Sequence, residues 1–185
     1  MIDVNELRKG VTFTYDGQLY RVVEYTHNKT GRGNASIRTK LYNLKTGVML
    51  ERTFQSGDRV QDIRLETRVA QYLYTDGDFY YFMDNTTFEQ TPISAMSLGE
   101  HVHYLRENLD VKLTFYEEQP IDVELPANVD LKVVESEPGV RGDTATGANK
   151  LATVETGLKV QVPLFVNVGD TIRVNTETGA YLTRV

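Results

Sequence analysis

The chain has 185 residues, 40% hydrophobic and 25% charged, a composition that suits a folded globular protein and excludes a disordered one. The absence of cysteine excludes disulfides, thiolate metal sites and cysteine nucleophiles together. The net charge of −6 divides unevenly: residues 1–64 carry 11 Lys+Arg against 7 Asp+Glu (+4), residues 65–126 carry 3 against 12 (−9), and residues 127–185 carry 6 against 7 (−1).

The first segment begins Met-Ile-Asp-Val-Asn-Glu-Leu, with early acids and no apolar signal region, and no later run approaches the roughly 18 apolar residues of a membrane span. A cytoplasmic protein without membrane contact is expected. Asp3 is placed to cap a short helix ending at Gly10, with Glu6 as its capping-box partner. The strand-like stretches Arg21–Tyr25 and Ser36–Tyr42 then flank Thr30-Gly31-Arg32-Gly33-Asn34. Arginine between two glycines is sterically bare and able to enter a narrow space, and Lys29, Arg38 and Lys40 add positive charge around it. Ile37–Leu41 alternates, which puts Ile37 and Leu41 on one face and Arg38 and Lys40 on the other. Asn43–Gly47 reads as a turn into Val48–Leu50.

Charge switches sign at Arg64–Leu65, a candidate boundary. Gln71–Thr75 and Phe79–Met83 flank Asp76-Gly77-Asp78, a hairpin signal. Ser97 and Glu100 form a second capping-box pattern, and Leu98, Val102, Leu105 and Leu109 follow at helical spacing. Pro126 within Glu124–Asn128 marks the next boundary, because proline cannot continue a central strand. The third segment holds a loop of small residues, Pro138–Gly147 with Arg141, whose backbone N–H groups suit phosphate or base contacts. Thr171–Asn175 and Ala180–Arg184 flank Glu177-Thr178-Gly179 as a last hairpin. Nothing keeps a helical period over a long window. The expected fold is all-β, as three consecutive small SH3-like or OB-like barrels over residues 1–64, 65–126 and 127–185.

Catalytic chemistry finds no constellation to carry it. The only histidines are His27, His101 and His103, and the last two have no cysteine or third histidine nearby to complete a metal site. No Walker loop, nucleophile elbow or His-Glu-x-x-His occurs. A non-enzyme with no metal and no cofactor is expected.

Lys150, Ala152, Gly157, Val162-Pro163 and Gly169 stand at fixed spacings in a run that resembles the C-terminal signature of the bacterial elongation factor P family. The Gly142-Asp143-Thr144 loop before it and the closing Gly179–Arg184 are also similar to that family. So are the Gly31-Arg32-Gly33 tip, Lys40–Gly47 and Glu51–Phe54. The resemblance implies an SH3-like (KOW-like) barrel followed by two OB-fold barrels, together shaped like a tRNA. It implies a monomer that binds the 70S ribosome between the P and E sites, touching rRNA and the peptidyl-tRNA, and speeds peptide-bond formation at consecutive prolines. Arg32, with Gly31, Gly33 and Asn34, would be the functional tip. Lys29, Arg38, Lys40, Arg141, Gly142, Asp143, Thr144, Tyr181 and Arg184 would meet RNA. Many family members carry a modified lysine where this chain has Arg32, and arginine cannot accept a lysine-type extension. Some arginine-bearing members are rhamnosylated, which makes a glycosyltransferase acting on Arg32 a further possible partner. Arginine there also occurs in the elongation factor P-like paralogues, which leaves that reading open. A reading of another class is a general single-strand RNA chaperone, against which the acidic middle segment stands.

Overall fold

The computed structural model describes residues 1–29, 31–139 and 148–185. The first sheet holds β1 (Ile2–Asp3), β2 (Thr12–Tyr15), β3 (Gln18–Asn28), β4 (Ser36–Asn43), β5 (Met49–Gln55) and β6 (Arg59–Asp62), in the order β1-β6-β2-β3-β4-β5. On β4 the alternation acts as expected: Ile37, Thr39, Leu41 and Asn43 are buried while Arg38 is exposed. Ile37 and Leu41 enter one apolar cluster with Val4, Phe13, Val22 and Phe54. The buried Thr39 hydroxyl donates to the Arg52 carbonyl at 2.8 Å, so the core holds this polar group at little cost. After β4, Asn43 Oδ1 accepts from the N–H groups of Lys45 (2.9 Å) and Thr46 (3.0 Å), and Gly47 at φ +72° turns the chain into β5.

The expected N-terminal helix is only a 3₁₀ turn, Val4–Glu6. Asp3 does cap it, accepting from the Asn5 N–H at 2.8 Å, but Leu7 is already extended at ψ 134°. A tight turn brings residues three apart onto one side, which is what buries Val4 and Leu7 together.

The second sheet holds β7 (Glu66–Thr75), β8 (Phe79–Asp84), β9 (Gln90–Ser94), β10 (Asp110–Tyr116) and β11 (Gln119–Glu124), in the order β11-β10-β7-β8-β9. The β7–β8 hairpin forms where expected, with Gly77 at φ +101°. The helix expected after Ser97 starts earlier and is shorter: α1 is Ala95–Leu98, capped by Ser94, whose Oγ accepts from the Ser97 N–H at 3.2 Å. Gly99, at φ +55°, ends it, and a 3₁₀ stretch follows from Gly99 to Tyr104. The apolar spacing still found buried positions, since Leu98, Leu105 and Leu109 are buried, but a broken connector achieves this and not one helix.

The third sheet holds β12 (Asn128–Ser136), β13 (Asn149–Val154), β14 (Lys159–Pro163), β15 (Thr171–Asn175) and β16 (Tyr181–Arg184), in the order β14-β13-β12-β15-β16. Inward residues alternate on β12 (Val129, Leu131, Val133), β14 (Val160, Val162) and β15 (Ile172, Val174), the pattern of a small barrel with one apolar interior face. The protein is thus all-β, with three consecutive small barrels each curled over its own apolar residues. Backbone packing divides it into two compact units, residues 1–67 with 114–122 and residues 68–113 with 123–185. Among the described residues no helix is long and apolar enough to cross a membrane.

Candidate functional site

The strand β3 is longer than sequence alone implies. It pairs with β4 out to Asn28↔Ser36, past a bulge between Val22 and Glu24. From Glu24 to Asn28 every β3 residue is exposed, about 14 Å of ribbon at the usual strand rise. β5 backs β4 as far as Ser36↔Gln55, which stiffens the arm on one side. Val22, Val23, Tyr25 and Thr26, all strand-favouring residues, support this extended arm over an early turn.

Lys29, Gly31, Arg32, Gly33 and Asn34 are all exposed at the end of this arm. A side chain added at Gly31 would meet nothing within 4 Å, and Gly33 sits at φ +138°, where L side chains are disfavoured. Among the described residues, neither Lys29 nor Arg32 is held by an ion pair or hydrogen bond. The arm therefore presents two unclaimed cations on a bare backbone.

Arg38 and Lys40 differ from them. Arg38 Nη2 lies 2.5 Å from Glu51 Oε2, and this bond holds the Glu51 carboxyl below its usual range. Lys40 stands in register with Glu24 on one side and Glu51 on the other. These two cations are on the outer face, as alternation requires, but carboxylates already share their charge.

In the third sheet, Tyr181 is half-buried and lines an open groove of about 470 Å³ of mixed character with Asn149, Lys159, Gln161 and Pro163. Arg184 is turned elsewhere: its guanidinium lies 5.0 Å from the Phe165 ring centroid and 3.5 Å from Asp170 Oδ2. Arg141, Gly142, Asp143 and Thr144 lie outside the described residues; among the described candidates, Lys29, Arg32 and Tyr181 are left open to a ligand. His103 Nε2 stands 3.5 Å from Glu100 Oε2. Sequence reasoning missed two features. One is Arg52, whose guanidinium covers the Tyr15 ring at 3.9 Å and donates to its hydroxyl at 2.5 Å. The other is a stacked pair, Tyr74 and Tyr81, with centroids 4.6 Å apart. The i, i+2 aromatics Phe79 and Tyr81 were the available signal for the second.

Comparison with known proteins accounts for the chain from end to end. Residues 3–60 match the Elongation factor P (EF-P) KOW-like domain, residues 65–123 the Elongation factor P (EF-P) OB domain, and residues 129–184 the Elongation factor P C-terminal domain. Elongation factor P of Caldanaerobacter subterraneus subsp. tengcongensis is 50% identical over 185 residues, covering 100% of both chains. That of Moorella thermoacetica is 49% identical over 184 residues, again covering 100% of both. Among solved structures, a eukaryotic translation initiation factor 5A from Methanococcus jannaschii is similar in fold, with a TM-score of 0.54 at 20% identity over 68% of this chain and 90% of that one.

Proposed function

The chain belongs to the elongation factor P family, and from that premise we propose that it is a translation elongation factor that binds the ribosome between the P and E sites and stimulates peptide-bond formation at consecutive prolines. The observation that carries the reading is the exposed arm ending in Arg32, on a chain matched to the family over its full length. Proline reacts slowly because its ring fixes φ and restricts the geometry of attack. A factor that orders the end of the peptidyl-tRNA removes orientational freedom from the reactants and needs to make or break no bond itself. Arg32 suits that task, with a permanently charged planar group offering five donors to phosphates and base edges.

In this reading the segments 1–64, 65–126 and 127–185 divide the work. The first reaches the peptidyl-tRNA through Arg32, with Lys29 beside it and Arg38 and Lys40 further back. The third meets RNA through Tyr181 and Arg184, and through Arg141, Gly142, Asp143 and Thr144 near the codon. The exposure of Arg32 leaves its guanidinium open to a modifying glycosyltransferase. The intact mass of the protein from its native host reports whether that modification is present.

The deciding experiment is dipeptide and tripeptide synthesis in a reconstituted translation system. Addition of the protein should relieve pausing at three consecutive prolines and leave other sequences nearly unchanged. Equal stimulation of every message, or none at proline runs, would overturn the assignment.

A further inference from the structure

Three aromatic rings at the surface of this protein lie under a cation of its own. Arg52 covers Tyr15 at 3.9 Å, Arg8 lies 5.2 Å from the Tyr25 centroid, and Arg184 lies 5.0 Å from that of Phe165. The outer face of the β7–β8 hairpin is a different case. Tyr74 and Tyr81 stack there with their planes 15° apart, in register across the two strands. Phe79 projects on the same side as Tyr81, two residues away on β8. Tyr74 is 48% exposed and Phe79 42%. Next to them, the Ala95 N–H donates to the Asp78 carbonyl at 2.9 Å, which brings Met96, 93% exposed, to the edge of this face. Among the described residues no cation lies over any of these rings.

The local charge is of one sign. From Val69 to Leu105 the chain holds no lysine or arginine, but it holds Asp76, Asp78, Asp84, Glu89 and Glu100. Asp76 is fixed at the hairpin tip: its Oδ1 accepts from the N–H groups of Asp78 (3.0 Å) and Phe79 (2.8 Å), and its Oδ2 accepts from the Tyr81 hydroxyl at 3.0 Å. These bonds keep it ionised beside the rings, and Asp78 adds a second carboxylate at the same tip.

Exposed aromatics on the strands of an OB barrel ordinarily suggest stacked bases. Here the electrostatics decide against nucleic acid, because each phosphate that follows a base needs a cation nearby and this face has only carboxylates. What complements it is positive charge that can also lie flat on a ring. We propose that the outer face of the β7–β8 hairpin, with Tyr74, Phe79, Tyr81 and Met96 bordered by Asp76 and Asp78, docks a lysine- and arginine-rich segment of a protein. That this protein is a component of the ribosome rests on the function proposed above; the chemistry of the surface does not.

The test has two arms. In the first, the full-length ¹⁵N-labelled protein is titrated with a synthetic peptide of alternating lysine and arginine, and separately with oligouridylate. Amide shifts should concentrate between Tyr74 and Tyr81 and at Met96. The double variant Phe79→Thr/Met96→Ala, which removes apolar surface and no charge, should bind the peptide about tenfold more weakly with an unchanged Tm. Shifts spread over every acidic surface and insensitive to the variant would overturn the proposal, and so would preferential occupancy of this face by oligouridylate. In the second arm, a photo-crosslinking residue at Met96 should join the protein to a basic ribosomal protein on stalled ribosomes, and crosslinks to rRNA would overturn the proposal. If the parent protein fails to bind ribosomes at all, the proposed function is refuted, and the peptide arm still decides the surface.

Discussion

Asp130 on β12 and Arg173 on β15 face each other in register and form a two-point ion pair, with Arg173 Nε 2.8 Å from Oδ1 and Nη2 3.1 Å from Oδ2. Parallel hydrogen bonds of this kind are both stronger and more directional than a single contact. The pair ties β15 to β12, the central strand of the third sheet, on the side away from the Val129–Leu131–Val133 core, and it predicts how that barrel responds to acid.

Arg173 holds the Asp130 carboxyl below its usual range, chiefly through those hydrogen bonds. A carboxyl whose folded pKa is depressed contributes stability that is fully present above its unfolded pKa of about 3.9 and is lost as pH falls through the folded value. The Tm difference between the parent and Asp130→Asn should therefore be constant above about pH 5 and shrink as the pH drops below about 4. Melting curves over that range check it. A difference independent of pH would show that the pair contributes by packing alone.

Arg32 should matter for rate much more than for affinity. Its side chain adds little buried area at a bare tip, but misplacing a reacting end costs rate steeply. Arg32→Ala should bind ribosomes within about threefold of the parent and lose at least about tenfold in the triproline rate. Arg32→Lys keeps charge but not the planar fork, so its activity separates the two contributions. Both variants should melt near the parent, within about 0.5 kcal/mol, as expected for exposed positions. Full rescue by Arg32→Ala would show that the tip is not the active element.

The cations of the arm should not contribute equally to RNA affinity. Lys29 is unclaimed, whereas Arg38 is engaged by Glu51. Lys29→Ala should lower the slope of log affinity against log salt by about one phosphate contact, and Arg38→Ala by less. Ribosome binding measured across a salt series gives both slopes. An Arg38→Ala effect as large as that of Lys29→Ala would mean that Glu51 releases Arg38 on binding.

A tight joint within the second compact unit should respond to single atoms. The Thr156 hydroxyl donates to the His103 carbonyl at 2.5 Å. Gly179, at φ +73°, leaves so little room that an added Cβ would lie 3.1 Å from the Tyr104 hydroxyl. Thr156→Val should cost about 1 kcal/mol. Gly179→Ala should cost about 1–2 kcal/mol, from the left-handed backbone and the contact together. Adding Tyr104→Phe to Gly179→Ala should recover only the contact part, which a double-mutant cycle on denaturant midpoints measures.

The sequence by itself determined the elements and the family. Strand faces repeat every two residues, so Ile37–Leu41 announced its inner and outer sides without any tertiary information. Turns depend on a few residue types, so Asp76-Gly77-Asp78 and Glu177-Thr178-Gly179 placed their hairpins correctly. The bare arginine at the tip and the long C-terminal signature were equally local. Helix ends were less legible: the Ser97–Glu100 pattern lost to a cap at Ser94 and a break at Gly99, because burial of Leu98, Leu105 and Leu109 by the barrel outweighs the weak preference of a short helix.

Only the tertiary structure decided which charges are free and which rings are covered. Arg38 and Glu51 are 13 residues apart, Asp130 and Arg173 are 43 apart, and Arg52 and Tyr15 are 37 apart, and each pair meets only through strand register or sheet curvature. Alternation tells which face a side chain takes but not which partner waits on the neighbouring strand. A count of charges therefore placed Lys29, Arg32, Arg38 and Lys40 in one basic group, and pairing divided them into two unclaimed cations and two shared ones. The same long-range pairing left Tyr74, Phe79 and Tyr81 as an aromatic face with no cation over it among the described residues.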